Sequence, residues 1–185
     1  MRKFWLFLAL IALVSGSCFA AGIVTSLSVD LEGKMIMADN ENNARTIEPG
    51  LAVAADLIFT STPNAELGLG VEYQKERLWD DQRTFQFVPI YGFLNLHGDS
   101  RSWTREVQPY FTGRFGYSRF IGPNSKESYI TAEDGLYYKA GLGINFQNKI
   151  RLEANYSSCL GQEHGYVLGT NYEYTRTAIT LSAVF

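Results

Sequence analysis

The chain has 185 residues, with 16 Lys and Arg against 19 Asp and Glu, and a formal net charge of −3. The acidic balance argues against nucleic acid as a partner, and two cysteines exclude a disulfide framework or a cysteine-built metal site. Eleven Tyr, twelve Phe and seventeen Gly point to strands bounded by turns.

The first stretch, MRKFWLFLALIALVSGSCFAAG, places Arg2 and Lys3 before an apolar run from Phe4 to Val14 and then small residues. That order reads as a secretory signal over residues 1–20, cleaved after Ala20. The run is too short for a spanning helix, which needs roughly 20 apolar residues. A lipoprotein signal centred on Cys18 is the alternative, although Ser15 stands where such signals usually carry leucine. Residues 21–185 then form one domain, with net charge near −5 once Arg2 and Lys3 are gone and with Cys159 as the one thiol.

Alternation with period two, the mark of strands between two unlike environments, runs through this domain. In IVTSLSVDL, Ile23, Leu27, Val29 and Leu31 oppose Val24, Ser26, Ser28 and Asp30. LAVAADLIF sets Leu51, Val53, Leu57 and Phe59 against Ala52, Ala54, Asp56 and Ile58, and LGLGVEYQ sets Leu67, Leu69, Val71 and Tyr73 against Gly68, Gly70, Glu72 and Gln74. TFQFVPIYGFLNL is apolar on both faces and contains Pro89, so its facing stays open. VQPYFTGRFGYS, YKAGLGINF and IRLEANYS alternate clearly, and a last strand from about Tyr172 to Phe185 puts Thr177, Ile179, Leu181, Ala183 and Phe185 on one face.

The count is eight. Long connections at about 32–47, 77–83, 119–135 and 158–171 alternate with short ones, TSTPNA, LHGDSRS and QNKI. An even set of antiparallel strands with alternating long and short connections is the pattern of membrane barrels. The expected fold is therefore all-β, an eight-stranded antiparallel transmembrane up-and-down β-barrel. A soluble sandwich or lipocalin-like barrel is the competing reading, with the apolar faces turned into a core.

LGLGVEYQ, VQPYFTGRFGYS, YYKAGLGINF, IRLEANY and the terminal ITLSAVF, together with the signal, give the chain a resemblance to the small outer-membrane β-barrel domain family of Gram-negative bacteria, a group of opacity-protein-like and porin-named barrels. The resemblance implies outer-membrane localisation with extracellular loops and both mature termini periplasmic. It implies a monomer in contact with outer-membrane lipid and lipopolysaccharide, inserted by the barrel-assembly machinery. It brings no catalytic pattern and no cofactor. A structural, envelope-protective or adhesive role follows first; a narrow channel for ions or small solutes is second, and a lipid-modifying enzyme third.

The alternation turns Asp30, Asp56, Glu72 and Glu153 inward with Arg114, Lys139, Arg151 and Arg176. Four carboxylates against four cations suggest internal ion pairs, or a gate, because a buried charge needs a partner. Gly68, Gly70, Gly116, Gly141 and Gly143 share those faces and are expected to leave room for the Arg and Lys arms. His97 and His164 read as rim or loop residues, since no nucleophile motif accompanies them, and two histidines give no metal site. Loops 32–47, with two methionines expected to be exposed, and 119–135, with an acidic end, are the candidate surfaces for a host or envelope ligand. Trp79, Trp103 and Phe185 are expected to anchor the membrane interface.

Overall fold

The computed structural model describes residues 22–37, 44–78, 84–98, 107–122, 131–164 and 169–185. The expected signal peptide, Trp79 and Trp103 lie outside them, as do the middle parts of both candidate loops. No helix among the described residues is long and apolar enough to cross a membrane.

The described residues form one antiparallel sheet of ten strands: β1 (Gly22–Met37), β2 (Arg45–Ile47), β3 (Leu51–Ser61), β4 (Ala65–Gln74), β5 (Arg77–Leu78), β6 (Thr84–His97), β7 (Val107–Ile121), β8 (Thr131–Phe146), β9 (Ile150–His164) and β10 (Gly169–Val184). The expected eight-stranded up-and-down barrel is corrected on two counts. First, the additional strands β2 and β5 lie in what reads as loops 32–47 and 77–83, where two or three residues are too few to display a period. β2 pairs with the far end of β1 through Gly33↔Ile47, and β5 pairs with β6 through Arg77↔Phe85. Second, the path is not a uniform ring of neighbours. β1 bonds β3 along its first half, β2 near its end, and β10 from Val24↔Val184 to Met37↔Tyr172.

The ladder between β4 and β6 is interrupted. Its last pair is Val71↔Ile90, and pairing resumes at Arg77↔Phe85, so among the described residues no ladder pair joins residues 86–89 to β4. Pro89 in this stretch has no N–H to offer. Gln86 fills part of the seam, its Nε2 donating to the Gln74 carbonyl at 2.9 Å. It has the parity of outward-facing Ile90 and Leu94, yet it is buried because it folds over the gap. Replacing Gln86 with alanine leaves that carbonyl without its donor and is expected to speed amide exchange at Lys75 and Val88 about tenfold or more over wild type, as the loss of one buried bond worth about 1–2 kcal/mol requires. Hydrogen exchange read by mass spectrometry checks it, and unchanged protection there would sink the seam reading.

The burial pattern is inverted relative to a soluble protein. In β4, Glu66, Gly68, Gly70, Glu72 and Gln74 are buried while Leu67, Leu69, Val71 and Tyr73 are exposed. The same holds around the sheet, with Leu142 68% and Phe115 65% exposed and Lys139, Arg151 and Glu153 buried. A continuous apolar outer face of this size is costly in water, and the soluble reading with an apolar core is incompatible with it. The open facing of TFQFVPIYGFLNL is settled: Phe85, Phe87, Tyr91, Phe93 and Asn95 point inward, and Ile90, Leu94 and Leu96 outward.

Candidate functional site: a charged and aromatic interior

The interior is layered along the strands. Nearest the long connections, Met35, Ile47, Phe85, Phe87, Phe120, Tyr172 and Tyr174 form a buried cluster. Phe87 stacks on Phe120 with centroids 4.8 Å apart, Phe85 meets Tyr174 edge-on at 5.3 Å, and Phe120 lies 5.2 Å from Tyr172. Such offset and edge contacts are the favoured aromatic geometries. Met35, read from sequence as an exposed loop methionine, is fully buried here because β1 continues past the apolar band to Met37. This aromatic layer was not legible from alternation, since an inward row of Phe and Tyr on β6 looks like a lipid-facing row. The polar Asn95 at the same parity is the signal that distinguishes the two.

The middle layer is a chain of alternating charges. Asp30 on β1 accepts from Arg176 Nη1 at 2.8 Å, from Arg77 Nε at 3.1 Å and from the Tyr174 hydroxyl at 3.2 Å, and Arg77 Nη2 also contacts it. Arg176 reaches Glu72 through Nη2. Glu72 in turn faces Lys139 Nζ at 3.4 Å and accepts from Gln74 Nε2 at 3.0 Å. Lys139 lies 4.0 Å from Glu153, which accepts from Tyr110 at 3.2 Å and from Asn155 at 2.9 Å. Arg114 links Glu153 at 3.8 Å to Asp56 at 3.4 Å and donates to the Tyr91 hydroxyl at 2.8 Å. Tyr91 itself donates to Asp56 at 2.7 Å. Every member is buried.

Sequence reading assigns Arg151 to this set and omits Arg77. In the structure Arg77 joins it, and Arg151 pairs with Glu66 at 2.7 Å in a separate layer at the short-turn end. Glu66 opens β4 just after the Thr62–Ala65 turn, too close to the strand's start for alternation to assign its facing. The middle layer thus has four cations, Arg77, Arg176, Lys139 and Arg114, and four carboxylates, Asp30, Glu72, Glu153 and Asp56. Equal charge matters because ions removed from water are tolerated only when compensated and hydrogen-bonded.

The five inward glycines expected to leave room for Arg and Lys arms instead relieve close approaches of neighbouring backbone, of the Asp56 carboxylate and of aromatic rings, and no Arg or Lys arm is among their nearest neighbours. A Cβ at Gly68 would meet the Leu57 carbonyl oxygen first and then the Phe93 ring at 2.6 Å, one at Gly70 the Asp56 carboxylate first and then the Tyr91 ring at 2.5 Å, and one at Gly143 the Tyr110 ring.

At the short-turn end, Ser26 and Ser182 hydroxyls meet at 2.9 Å and Ser28 and Thr180 at 2.8 Å across the β1–β10 ladder. His97 ends β6 at the short-turn mouth with its side chain turned inward: the side chain is 4% exposed and its Nε2 lies 3.6 Å from Glu66. His164 is half-exposed and faces Glu133 at 3.4 Å. Phe185 is 77% exposed, while its backbone N–H and C=O both bond Ile23, at 2.8 and 3.0 Å. Of the candidate loops, residues 32–37, 44–47, 119–122 and 131–135 are described, and most of these are strand.

No protein-family model matches the chain, and no curated protein sequence matches it. Solved structures do. Neisserial surface protein A aligns at 11% identity with a TM-score of 0.56, covering 89% of this chain and 97% of that one. The outer membrane protein AlkL, solved in lipid bilayers, aligns at 15% identity with a TM-score of 0.51 over 91% of this chain and 92% of its own. The outer membrane protein OprG from Pseudomonas aeruginosa gives 12% identity and a TM-score of 0.51 over 91% and 98%. At these identities the likeness concerns fold, and the chain has a β-stranded fold resembling those of small Gram-negative outer-membrane β-barrel proteins.

Proposed function

We propose that the chain is a non-enzymatic outer-membrane β-barrel protein whose filled interior makes it a rigid scaffold rather than a pore. The observation that carries this is the inverted sheet: aliphatic and aromatic side chains cover the outside while mutually engaged charges and rings fill the inside. In this reading the outer face meets membrane lipid, and lipopolysaccharide borders it beyond the apolar band. Loops 32–47 and 119–135 are extracellular and supply any adhesive or protective contact; both ends of residues 21–185 are periplasmic. The molecule is inserted by the barrel-assembly machinery and stands as a monomer. The eight inward charges read from sequence serve stability rather than gating.

The test is planar-bilayer conductance of the refolded chain, after unboiled and boiled protein are shown to migrate differently on a gel. No steady current is the expected result. A steady current that changes when Glu72 is replaced by Gln would make the interior a pathway and overturn the scaffold reading in favour of a narrow channel.

A further inference from the structure

β1 changes face partway along its length. Its ladder with β10 shifts register between Asp30 and Glu32, so that Ser26, Ser28 and Asp30 are buried before the shift and Gly33 and Met35 after it. Without the extra residue, Glu32 and Lys34 would continue the inward row of Asp30. With it they stand on the outer face, paired at 2.9 Å, their side chains 57% and 52% exposed. A bulge re-aims side chains in this way and is over-represented beside functional sites. Here it turns a cation and a carboxylate to the lipid side of the sheet, directly after the exposed apolar Val29 and Leu31.

The neighbouring strands form a furrow beside this pair. On β10, Thr175 stands across from Lys34 and Thr177 across from Glu32; on β9, Tyr156 stands across from Thr177. Two short side chains between longer ones leave a shallow depression of about 180 Å³, walled by Glu32 and Lys34 on one side and by Tyr156 on the other. Tyr156 is exposed like the ion pair, so these groups are open to a molecule approaching from outside. Toward the short-turn end the furrow runs out onto Val29, Ile179 and Leu181, which are exposed and apolar. Toward the long connections, Glu173 is engaged by its neighbours, accepting from Ser158 Oγ at 2.8 Å.

A polar furrow continuous with an apolar wall fits an amphiphile, head group in the furrow and chains along the wall. Lys34 carries three N–H donors and gives one direction to Glu32, which leaves the others for an anion such as phosphate. Glu32 is already neutralised by Lys34, so the furrow holds no spare negative charge for an ammonium head group. Its remaining lone pairs and the threonine hydroxyls suit sugar hydroxyls, and the Tyr156 ring presents a negative π face to sugar C–H groups.

We propose that this furrow binds the phosphorylated sugar head group of a glycolipid, with phosphate on Lys34, sugar hydroxyls on Glu32, Thr175 and Thr177, and acyl chains along Val29, Ile179 and Leu181. The volume is below that of ordinary small-molecule pockets and suits part of a head group, the rest of the lipid lying on the outer face. The inference rests on the outer-membrane reading above and turns general contact with lipopolysaccharide into a particular site.

The test is native mass spectrometry of the full refolded chain released from polyoxyethylene detergent micelles doped with diphosphorylated lipid A. Retention of one lipid A per chain is expected. Phosphatidylglycerol, which has phosphate without sugar, a diacyl glucosyl glycerol, which has sugar without phosphate, and phosphatidylethanolamine are each expected to bind about tenfold more weakly or worse, as loss of one charge-assisted contact requires. Lys34→Gln removes the cation, and Thr177→Leu fills the furrow with a side chain suited to the lipid face. Each is expected to weaken lipid A retention about tenfold or more, while the heat-modifiable gel shift persists because both positions lie on the outer face. A folded chain that retains any of the three other lipids as tightly as lipid A would overturn the proposal, as would wild-type retention in both folded variants. A chain without the gel shift would instead overturn the outer-membrane reading, and this site with it.

Discussion

Replacing Arg176 with methionine is expected to destabilise the folded chain by about 3–5 kcal/mol, the range for breaking a buried ion pair by removing one partner. Arg176 is fully buried and is the link between Asp30 on one side and Glu72 on the other, with Nε donating to Ser157 at 3.1 Å. Its loss leaves the middle layer with three cations against four carboxylates. Asp30 retains Arg77 and Tyr174, whereas Glu72 is left with Lys139 at 3.4 Å and Gln74. Urea titration in lipid vesicles measures the loss. The double variant Glu72→Gln, Arg176→Met restores the balance at three against three and is expected to recover about 1 kcal/mol or more relative to simple addition of the two single effects. Strict additivity would mean that the two residues are not energetically coupled, and the interlocked picture would fail.

The second large effect is expected at Gly116, where alanine should cost about 3 kcal/mol or more, at or beyond the upper end for overpacking. A Cβ there would fall on the Ile90 carbonyl oxygen and 2.5 Å from the Tyr91 Cα. Those atoms belong to the backbone of β6, directly across the Tyr91↔Gly116 pair, and cannot rotate away. The strand would have to shift, taking with it the Tyr91 hydroxyl that joins Asp56 to Arg114. Gly113, on the same strand, is the control: a Cβ there meets only the Phe111 ring at 3.8 Å. Gly113→Ala is expected to be neutral or to stabilise by up to about 1 kcal/mol through the unfolded chain. Refolding yield by gel shift and urea midpoints separate the two; comparable losses at both sites would show that glycine content, not close approach, sets the cost.

The glycines of this chain illustrate how far patterning can be read. None of the described glycines has a positive φ, so none is required there by backbone conformation. Their parity with the inward polar residues was visible in LGLGVEYQ and YKAGLGINF, but what each makes room for was not. That depends on which residue stands across the ladder: Phe93 opposite Gly68, Tyr91 opposite Gly70 and Tyr110 opposite Gly143. A register shift of one residue would exchange every one of these neighbours.

Alternation by itself determined which side of nearly every long strand is polar, and with it that Asp30, Asp56, Glu72, Glu153, Arg114, Lys139, Arg151 and Arg176 all lie on the polar side, because side chains on successive residues point to opposite faces of a strand. Alternation also carried the likeness to small outer-membrane barrels. Only the tertiary structure decided that the polar side is the enclosed one, that ten strands rather than eight form among the described residues, and that Arg77 rather than Arg151 completes the middle charge layer. It likewise decided that β6 turns its aromatic row inward. Those outcomes depend on contacts between residues far apart in the chain, such as Asp30 with Arg176 and Phe87 with Tyr174. A local period reports only whether a side chain faces one way or the other, and carries no information about which distant strand stands beside it.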